Sequence, residues 1–231
     1  MPDQKTIAAA NALLGQSLRV NEYDACRVFA ALGVPQAASE IIAAPEQQVA
    51  VGFPVAAKVL SPDIAHKTDA RAVRLNVTSD EELAAAIGEI LVNARAYKND
   101  ARIEGVLVQR MEKGLAEVIL GYKRDPQVGP VVVLGIGGVL AEIYHDFALR
   151  LAPVSAGEAM RMVEEVKGLA IIRGYRGLPR GDLAALAHAV RAFSQIANLQ
   201  DIAEAEINPL IVKPEGEGVV AVDGLVIKRD N

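Results

Sequence analysis

Three polar side chains near the carboxyl terminus have the residue types and the spacing of a magnesium site. Glu206, Asn208 and Asp223 lie in two apolar segments, Ala205 to Val212 and Val219 to Ile227, separated by a turn rich in proline and glycine. This pattern predicts a closing β-hairpin, and a two-residue loop at its centre places Asn208 directly across from Asp223. Opposed side chains on one face of a sheet lie about 5 Å apart at Cβ, which is close enough to share a cation.

Glu206 is expected on the same face as Asn208, because strand side chains repeat every two residues. Pro209 favours an extended conformation at Asn208 and so fixes its direction. Magnesium prefers oxygen ligands, commonly one or two carboxylates together with phosphate oxygens and water. The alternative is a solvated polar face on a terminal hairpin, since a slip of one residue in register moves every side chain to the other face.

Lys58 and His66 are the next candidates for chemistry. Lys58 lies near the end of a short apolar strand predicted over Val55 to Val59, from which its ammonium can reach phosphates as a point charge. An ordinary strand-end lysine that reaches water has the same pattern. His66 follows in the polar loop from Ser61 to Asp69, where an imidazole acts as a general base, as a nucleophile, or in no reaction at all.

The composition indicates which elements must position these residues. Hydrophobic residues make up 52% of the 231 positions, aromatic residues only 4%, and tryptophan is absent, so the core is aliphatic. Such a core favours an α/β (α+β) fold of parallel or mixed sheets covered by helices. The net charge of −5 argues against a nucleic-acid partner. No stretch of about 18 apolar residues predicts a membrane span, so a cytoplasmic protein is expected. Cys26, the single cysteine, is expected to be buried.

Hydrophobic periodicity and capping residues predict the order of the elements. The predicted helices are Asn21–Gly33, a short one from Pro45 to Gly52, Ser79–Tyr97, one that begins at Ser155 and one that begins near Asp182. Before the hairpin, the predicted strands are Ala38–Ile42, Val55–Val59, Val73–Val77, Gly105–Met111, Glu117–Lys123, Val131–Leu134 and Val139–Ile143. We expect a single unit over residues 1–231, with a small lobe at 21–103 and a large lobe at 104–231.

Two glycine-containing segments are less specific. Gly135 to Gly138 joins two predicted strands rather than a strand and a helix, so it is not a dinucleotide fingerprint. It marks either a tight turn or a place where a ligand meets the backbone. Arg173 to Gly177 either offers guanidinium groups to a phosphate or carboxylate or forms a solvated loop before the next helix.

An ordered set of short motifs runs along the chain. The motifs are Phe53–Lys58, Ser61–Asp69, Gly105–Met111, Asp125–Pro126, Gly129–Pro130, Gly135–Gly138, Arg173–Gly177 and Glu206–Leu210. In this order they resemble the ATP-grasp domain of the nucleoside-diphosphate-forming acyl-CoA synthetases. The resemblance is strongest to the β subunit of ADP-forming acetate–CoA ligase and more distant to the β subunit of succinyl-CoA synthetase.

The resemblance implies an ATP-grasp fold in which two α/β lobes hold ATP or ADP with Mg²⁺ between them. Lys58 would contact the phosphates. Asn208 and Asp223 match the magnesium ligands of the family, beside Glu206, in agreement with the hairpin geometry. The residues implied to line or close the adenine and ribose pocket are Gln109, Met111 (partly through its backbone), Glu112 and Glu117.

The resemblance also implies a reaction and a partner. In these ligases a phosphoryl group travels on histidines between the nucleotide and a CoA-binding α subunit. His66 matches the histidine of the ATP-grasp side, which would accept the phosphoryl group and pass it to ADP. The implied enzyme is an acid–CoA ligase (ADP-forming), which converts acid, ATP and CoA to acyl-CoA, ADP and phosphate.

One departure from the family pattern leaves two other functions open. The family has a glycine pair after the histidine loop, where this chain has Arg71 and Ala72. If those glycines have positive φ, the replacement costs about 1 kcal/mol or more per residue. Arg71 either supplies a phosphate contact or marks a nucleotide-binding regulatory subunit with impaired catalysis. The remaining alternative is a stand-alone ATP-grasp ligase that joins a carboxylate to an amine and does not need His66.

Overall fold

The computed structural model describes residues 4–14, 18–44, 47, 49–64, 66–138 and 146–229. The chain forms two compact units. The smaller unit is Ala37–Glu112, and the larger unit combines Met1–Gln36 with Lys113–Asn231. Within the described ranges, no helix has the length and apolarity needed to cross a membrane.

The smaller unit is a four-stranded antiparallel sheet with one long helix against it. The sheet has the order β2-β5-β3-β4. Its elements are β2 (Ser39–Ile42), β3 (Val55–Leu60), β4 (Val73–Val77), α3 (Asp80–Tyr97) and β5 (Gly105–Arg110).

The helix α3 determines which face of this sheet is apolar. The helix begins at Ser79, whose side chain accepts a hydrogen bond from the backbone nitrogen of Glu82. The residues of β3 that pack into the core with the helix are Val55, Ala57 and Val59. Because side chains alternate along a strand, Ala56 and Lys58 face the other side of the sheet.

The larger unit is a seven-stranded antiparallel sheet of order β1-β11-β9-β6-β7-β8, in which β10 also pairs with β9. Its strands are β1 (Arg19–Val20), β6 (Ala116–Asp125), β7 (Gly129–Ile136), β8 (Phe147–Leu151), β9 (Ile202–Val212), β10 (Val219–Ala221) and β11 (Gly224–Lys228). Its helices are α1 (Gln4–Leu13), α2 (Glu22–Leu32), α4 (Ala156–Glu165) and α5 (Leu183–Ser194), with short 3₁₀ segments at Lys167–Ile172, Tyr175–Gly177 and Gln195–Asn198.

One aliphatic core joins the helices to the sheet, and two phenylalanines lie within it. Phe29 of α2 and Phe193 of α5 are both fully buried, and their rings meet edge to face at 5.4 Å. Cys26 of α2 is buried in the same helix, as expected. The helix α4 has a complete capping box at Ser155 and Glu158, which fixes where that helix begins.

The unit boundaries differ from the predicted lobes of 21–103 and 104–231. The helix α2 belongs to the larger unit because its apolar face packs on β11 and α5. The strand β5 belongs to the smaller unit because it pairs with both β2 and β3. The predicted strand Val139–Ile143 lies outside the described residues, whereas β8 and α1 were not predicted. The predicted helix from Pro45 to Gly52 lies partly outside them, and its described positions, 47 and 49–52, are not helical. The named strands pair antiparallel and not in the parallel or mixed sheets that the composition suggested.

The buried phenylalanine pair generates a stability prediction. Replacing Phe193 with alanine removes a fully buried ring and leaves a cavity, so we expect a loss of about 3–5 kcal/mol in the free energy of unfolding. The matched control is Phe147→Ala in β8, whose side chain is 53% exposed and whose loss is expected to cost far less. Urea denaturation followed by circular dichroism measures both, and equal losses would contradict this packing.

Candidate functional site

The closing hairpin brings Asn208 opposite Asp223. The strand β11 pairs antiparallel with β9, with Leu225 across from Glu206 and Gly224 across from Ile207. One position further on, the backbone nitrogen of Asn208 donates to the carbonyl oxygen of Asp223 at 3.3 Å. This is the register that the sequence predicts for these strands.

A β-bulge lies at the same place. The pairing of β9 with β6 shifts between Val118 and Leu120, opposite Asn208 and Pro209, whose connecting peptide bond is cis. A bulge inserts one extra residue into a strand and turns its side chain away from the regular alternation. The direction of Asn208 therefore depends on the pairing of β9 with both of its neighbours.

The polar side chains of this corner, here called the acidic corner (Glu206, Asn208 and Asp223), are held by hydrogen bonds. The amide nitrogen of Asn208 donates to Glu206 Oε1 at 3.0 Å, so the amide oxygen points away from that carboxylate. Asp223 Oδ1 accepts the backbone N–H of Gly224 at 2.8 Å. Two carboxylates and one amide oxygen are hard ligands and fit Mg²⁺, which completes its shell with phosphate and water. In the described part of the chain, no three His, Cys, Asp or Glu side chains group as a metal cluster.

Glu204 lies near the acidic corner but forms an ion pair with Lys123 instead. Glu204 Oε1 lies 2.8 Å from Lys123 Nζ, and the hydrogen bond and charge of Glu204 raise the pKa of Lys123. Both side chains are largely exposed, so the pair contributes little to stability. Glu204 and Glu206 are two residues apart on β9, but only Glu206 accepts a hydrogen bond from the Asn208 side chain. A shallow cavity of about 200 Å³ on this sheet face is lined partly by Glu206 and Leu225.

Glu117 lies on β6, where the end of β7 approaches closely. The backbone nitrogen of Gly137 donates to the carbonyl oxygen of Glu117 at 2.7 Å. A Cβ atom on Gly137 would lie 2.9 Å from the backbone carbon and oxygen of Glu117. Gly137 therefore allows the backbone after β7 to approach the backbone of β6 closely. The side chain of Glu117 is exposed.

In the smaller unit, Lys58 and Gln109 meet on the face of the sheet opposite α3. Lys58 Nζ donates to Gln109 Oε1 at 3.3 Å, and the two residues are only 7% and 2% exposed. The pairing of Ala56 with Gln109 and of Lys58 with Leu107 produces this contact. The alternative of an ordinary strand-end lysine that reaches water is therefore wrong, because Lys58 is buried. Burial of an ammonium group is costly unless polar groups contact it, and the Gln109 amide is one such group.

Met111 and Glu112 follow β5 directly. The backbone nitrogen of Met111 donates to the carbonyl oxygen of Pro54 at 2.9 Å, which ties this segment to the start of β3. Both residues are half-buried. A ligand that contacts the backbone of Met111 would therefore find its N–H already engaged and would meet its carbonyl oxygen.

His66 is exposed and begins a tight loop. Its carbonyl oxygen accepts the backbone nitrogen of Ala70 at 3.2 Å, and that of Lys67 accepts the nitrogen of Ala72 at 2.8 Å. The side chain of Asp63, just before the histidine, accepts the backbone nitrogen of Arg102 at 2.7 Å and anchors the approach to the loop.

The Arg173–Gly177 segment has a structural contact at its first residue. One guanidinium nitrogen of Arg173 donates to the carbonyl oxygens of Val163, Glu164 and Val166, at the carboxyl-terminal end of α4. Arg176 lies over the ring of Tyr175, 5.2 Å from its centroid. The guanidinium of Arg173 thus stabilises a helix end.

The two sheets and these motifs define a nucleotide-binding class of protein, and residues 11–227 match the family model of the ATP-grasp domain. The chain belongs to the ATP-grasp family. It is 39% identical over 214 residues to the β subunit of acetate–CoA ligase [ADP-forming] II of Pyrococcus furiosus, covering 90% of this chain and 91% of that subunit.

A second curated relative and one solved structure extend this finding. Acetate–CoA ligase [ADP-forming] I of Archaeoglobus fulgidus is 43% identical over 171 residues, covering 74% of this chain and 25% of that protein. The structure is the dinucleotide forming acetyl-coenzyme A synthetase 1 of Ca. Korarchaeum cryptofilum with coenzyme A and Mg-AMPPCP, its phosphohistidine segment pointing towards the nucleotide binding site. It superposes with a TM-score of 0.80 at 32% identity, covering 98% of this chain and 100% of that chain.

The relatives differ in length. This chain spans 91% of the Pyrococcus β subunit but only 25–30% of three other curated relatives. The ATP-grasp domain is therefore a separate subunit in one relative and a part of a longer chain in others.

The close contact at Gly137 generates a prediction about the strand that carries Glu117. Gly137→Ala is expected to destabilise the fold by about 1–3 kcal/mol, because the new Cβ meets backbone atoms that cannot move aside easily. The control is Gly88→Ala in α3. Apart from the backbone of its own helix, no atom lies within 4 Å of the new Cβ, and the gain in helix propensity is expected to raise stability. Thermal denaturation measures both variants; the two shifts should have opposite signs, and a neutral Gly137→Ala would contradict the described contact.

Proposed function

We propose that this chain is the nucleotide-binding β subunit of an ADP-forming acid–CoA ligase. The observation that carries the proposal is the acidic corner, in which Asn208 opposes Asp223 beside Glu206 in a chain of the ATP-grasp family. The related Korarchaeum synthetase with Mg-AMPPCP supports ATP or ADP with Mg²⁺ as the ligands.

Each of the two units has residues that we propose as nucleotide contacts. The larger unit supplies the acidic corner, which would hold Mg²⁺ on the phosphates, and Glu117. The smaller unit supplies Lys58, whose buried ammonium would bind phosphate oxygens as a point charge. The smaller-unit residues proposed to line the adenine and ribose pocket are Gln109, Met111 through its carbonyl oxygen, and Glu112.

His66 is the proposed carrier of the phosphoryl group. A nitrogen of its imidazole attacks the γ-phosphorus of ATP, and the nitrogen–phosphorus bond forms as the bond from phosphorus to the β,γ-bridging oxygen breaks. ADP leaves with the electron pair, and the reverse step makes ATP. An imidazole suits both directions because it is a nucleophile and a leaving group near neutral pH. Bound Mg²⁺ would supply charge neutralisation at the phosphates.

A partner subunit completes the proposal. Relatives about three times as long contain a matching domain within one chain, whereas the Pyrococcus β subunit matches almost end to end. A CoA-binding α subunit with a second histidine would therefore exchange the phosphoryl group with His66. A cytoplasmic location belongs to the same proposal, because the cytoplasm supplies ATP and CoA.

Titration calorimetry with Mg-ATP tests the nucleotide site. Asp223→Ala removes one carboxylate of the acidic corner, and we expect it to weaken binding by at least about tenfold, or about 1.4 kcal/mol. The matched control is Glu204→Ala, on the same strand but paired with Lys123, which should change the affinity by less than about 1 kcal/mol. Equal affinities for the wild type and Asp223→Ala would reject the acidic corner as the magnesium site.

A second experiment tests the role of His66. His66→Gln is expected to bind Mg-ATP like the wild type but to take up no acid-labile, alkali-stable label from γ-³²P-ATP, because the amide side chain cannot form the nitrogen–phosphorus bond. Label that persists in His66→Gln would place the phosphoryl acceptor elsewhere. Wild-type protein that binds ATP but never labels would favour the regulatory subunit, and turnover of ATP with an amine acceptor would favour the stand-alone ligase.

A further inference from the structure

Arg71 has a backbone conformation that arginine rarely adopts. Its φ is +48°, in the left-handed region, whereas Ala72, at the second position where the family has glycine, is not among the positive-φ residues. Only one of the two family glycines thus corresponds to a left-handed residue here. Glycine would adopt this conformation without strain, so arginine at this position has a cost that the loop tolerates.

The backbone around Arg71 is fixed on every side. Its nitrogen donates to the carbonyl oxygen of Thr68 at 3.0 Å, and its own carbonyl oxygen accepts the side-chain amide of Asn93 in α3 at 2.9 Å. Ala70 and Ala72 on either side are 4% and 0% exposed, so both neighbours are anchored in the core. The arginine side chain therefore starts from a rigid base and extends into solvent.

Arg71 and His66 lie in one short segment of overlapping turns. The nitrogen of Ala70 donates to the carbonyl oxygen of His66, and the nitrogen of Ala72 donates to that of Lys67, so hydrogen bonds link residues 66–72. Both His66 and Arg71 are exposed. Among the residues that the structure describes, no acidic side chain forms an ion pair with Arg71. Arg74, three positions on, is by contrast paired with Glu89.

We propose that the guanidinium of Arg71 binds the phosphoryl group on His66 and positions it for transfer to ADP, an inference that rests on the proposed role of His66. A phosphorylated imidazole carries negative charge on oxygen atoms, and a guanidinium group binds such oxygens through two parallel hydrogen bonds. The contact is a set of hydrogen bonds, so the covalent bonds that form and break remain those at phosphorus. The guanidinium thus supplies a phosphate contact from the same loop as the phosphorylated histidine.

Three substitutions separate charge from backbone strain. Arg71→Lys keeps the charge and the strained backbone, Arg71→Gln keeps the strain without the charge, and Arg71→Gly removes both. The control is Arg74→Gln, an exposed arginine of the same unit that is paired with Glu89. Arg71→Gly should raise the melting temperature by about 2–4 °C through relief of strain, whereas Arg71→Gln should not.

The readout is the single-turnover rate of His66 labelling by γ-³²P-ATP and of transfer back to ADP, at saturating nucleotide. We expect Arg71→Gln and Arg71→Gly to slow both rates by about 10- to 100-fold. Arg71→Lys should lie between them and the wild type, and Arg74→Gln should match the wild type. Wild-type rates in Arg71→Gln would overturn the inference, as would recovery in Arg71→Gly alone, which would assign the effect to the backbone.

Phosphoramidate makes the two possible failures distinguishable. This small donor phosphorylates histidine without a nucleotide site, so it reports on the His66 loop even if ATP does not label the protein. Slower labelling of Arg71→Gln than of the wild type by phosphoramidate would sustain the phosphate contact while the proposed ATP reaction fails. Equal labelling of the two by phosphoramidate, with normal Mg-ATP binding, would reject Arg71 and leave the nucleotide site intact.

Discussion

The pairing of β11 with β9 is the constraint on which the acidic corner depends. A shift of one residue would move Asp223 to the opposite face from Asn208. The turn between β9 and β10 is held at its tip by Asp182, whose Oδ2 accepts the backbone N–H groups of Gly216 and Gly218, both with positive φ. The same aspartate caps α5 through Oδ1. One side chain thus fixes both the start of α5 and the turn between β9 and β10. The fixed turn then favours one register in the pairing of these strands.

The smaller unit buries the ammonium group of Lys58 against one face of its sheet. The helix α3 occupies one face with aliphatic side chains, so the opposite face is left for Lys58 and Gln109. The amide oxygen of Gln109 accepts a hydrogen bond from the Lys58 ammonium and so lowers the free-energy cost of burying that charge. A buried cation held in this way is suited to a polyanionic ligand, because little solvent competes for it.

The sequence predicts what is local and misses what depends on distant pairing. The hairpin register follows from turn chemistry and alternation within a short segment, so Asn208 and Asp223 were placed correctly. The Lys58–Gln109 contact joins residues 51 positions apart, and no periodicity reports it. The strand β8 escaped prediction because its large apolar side chains face solvent. Phe147, Leu149 and Leu151 are exposed, whereas the opposite face has only Ala148, which is buried, and Arg150. The lobe boundaries shifted for a related reason, since α2 packs on strands from the far end of the chain.

The path of the chain through the larger sheet has a consequence for biosynthesis. The short strand β1 pairs with β11, so the first and the last of the described strands are neighbours in one sheet. The smaller unit, Ala37–Glu112, is continuous and lies wholly between them in the sequence. Nascent chains can therefore complete the smaller unit early, while α2 must wait, with its apolar face uncovered, until the final strands emerge. Loss of β11 would thus expose the apolar face of α2 to chaperones and proteases, although the two elements lie far apart in the sequence.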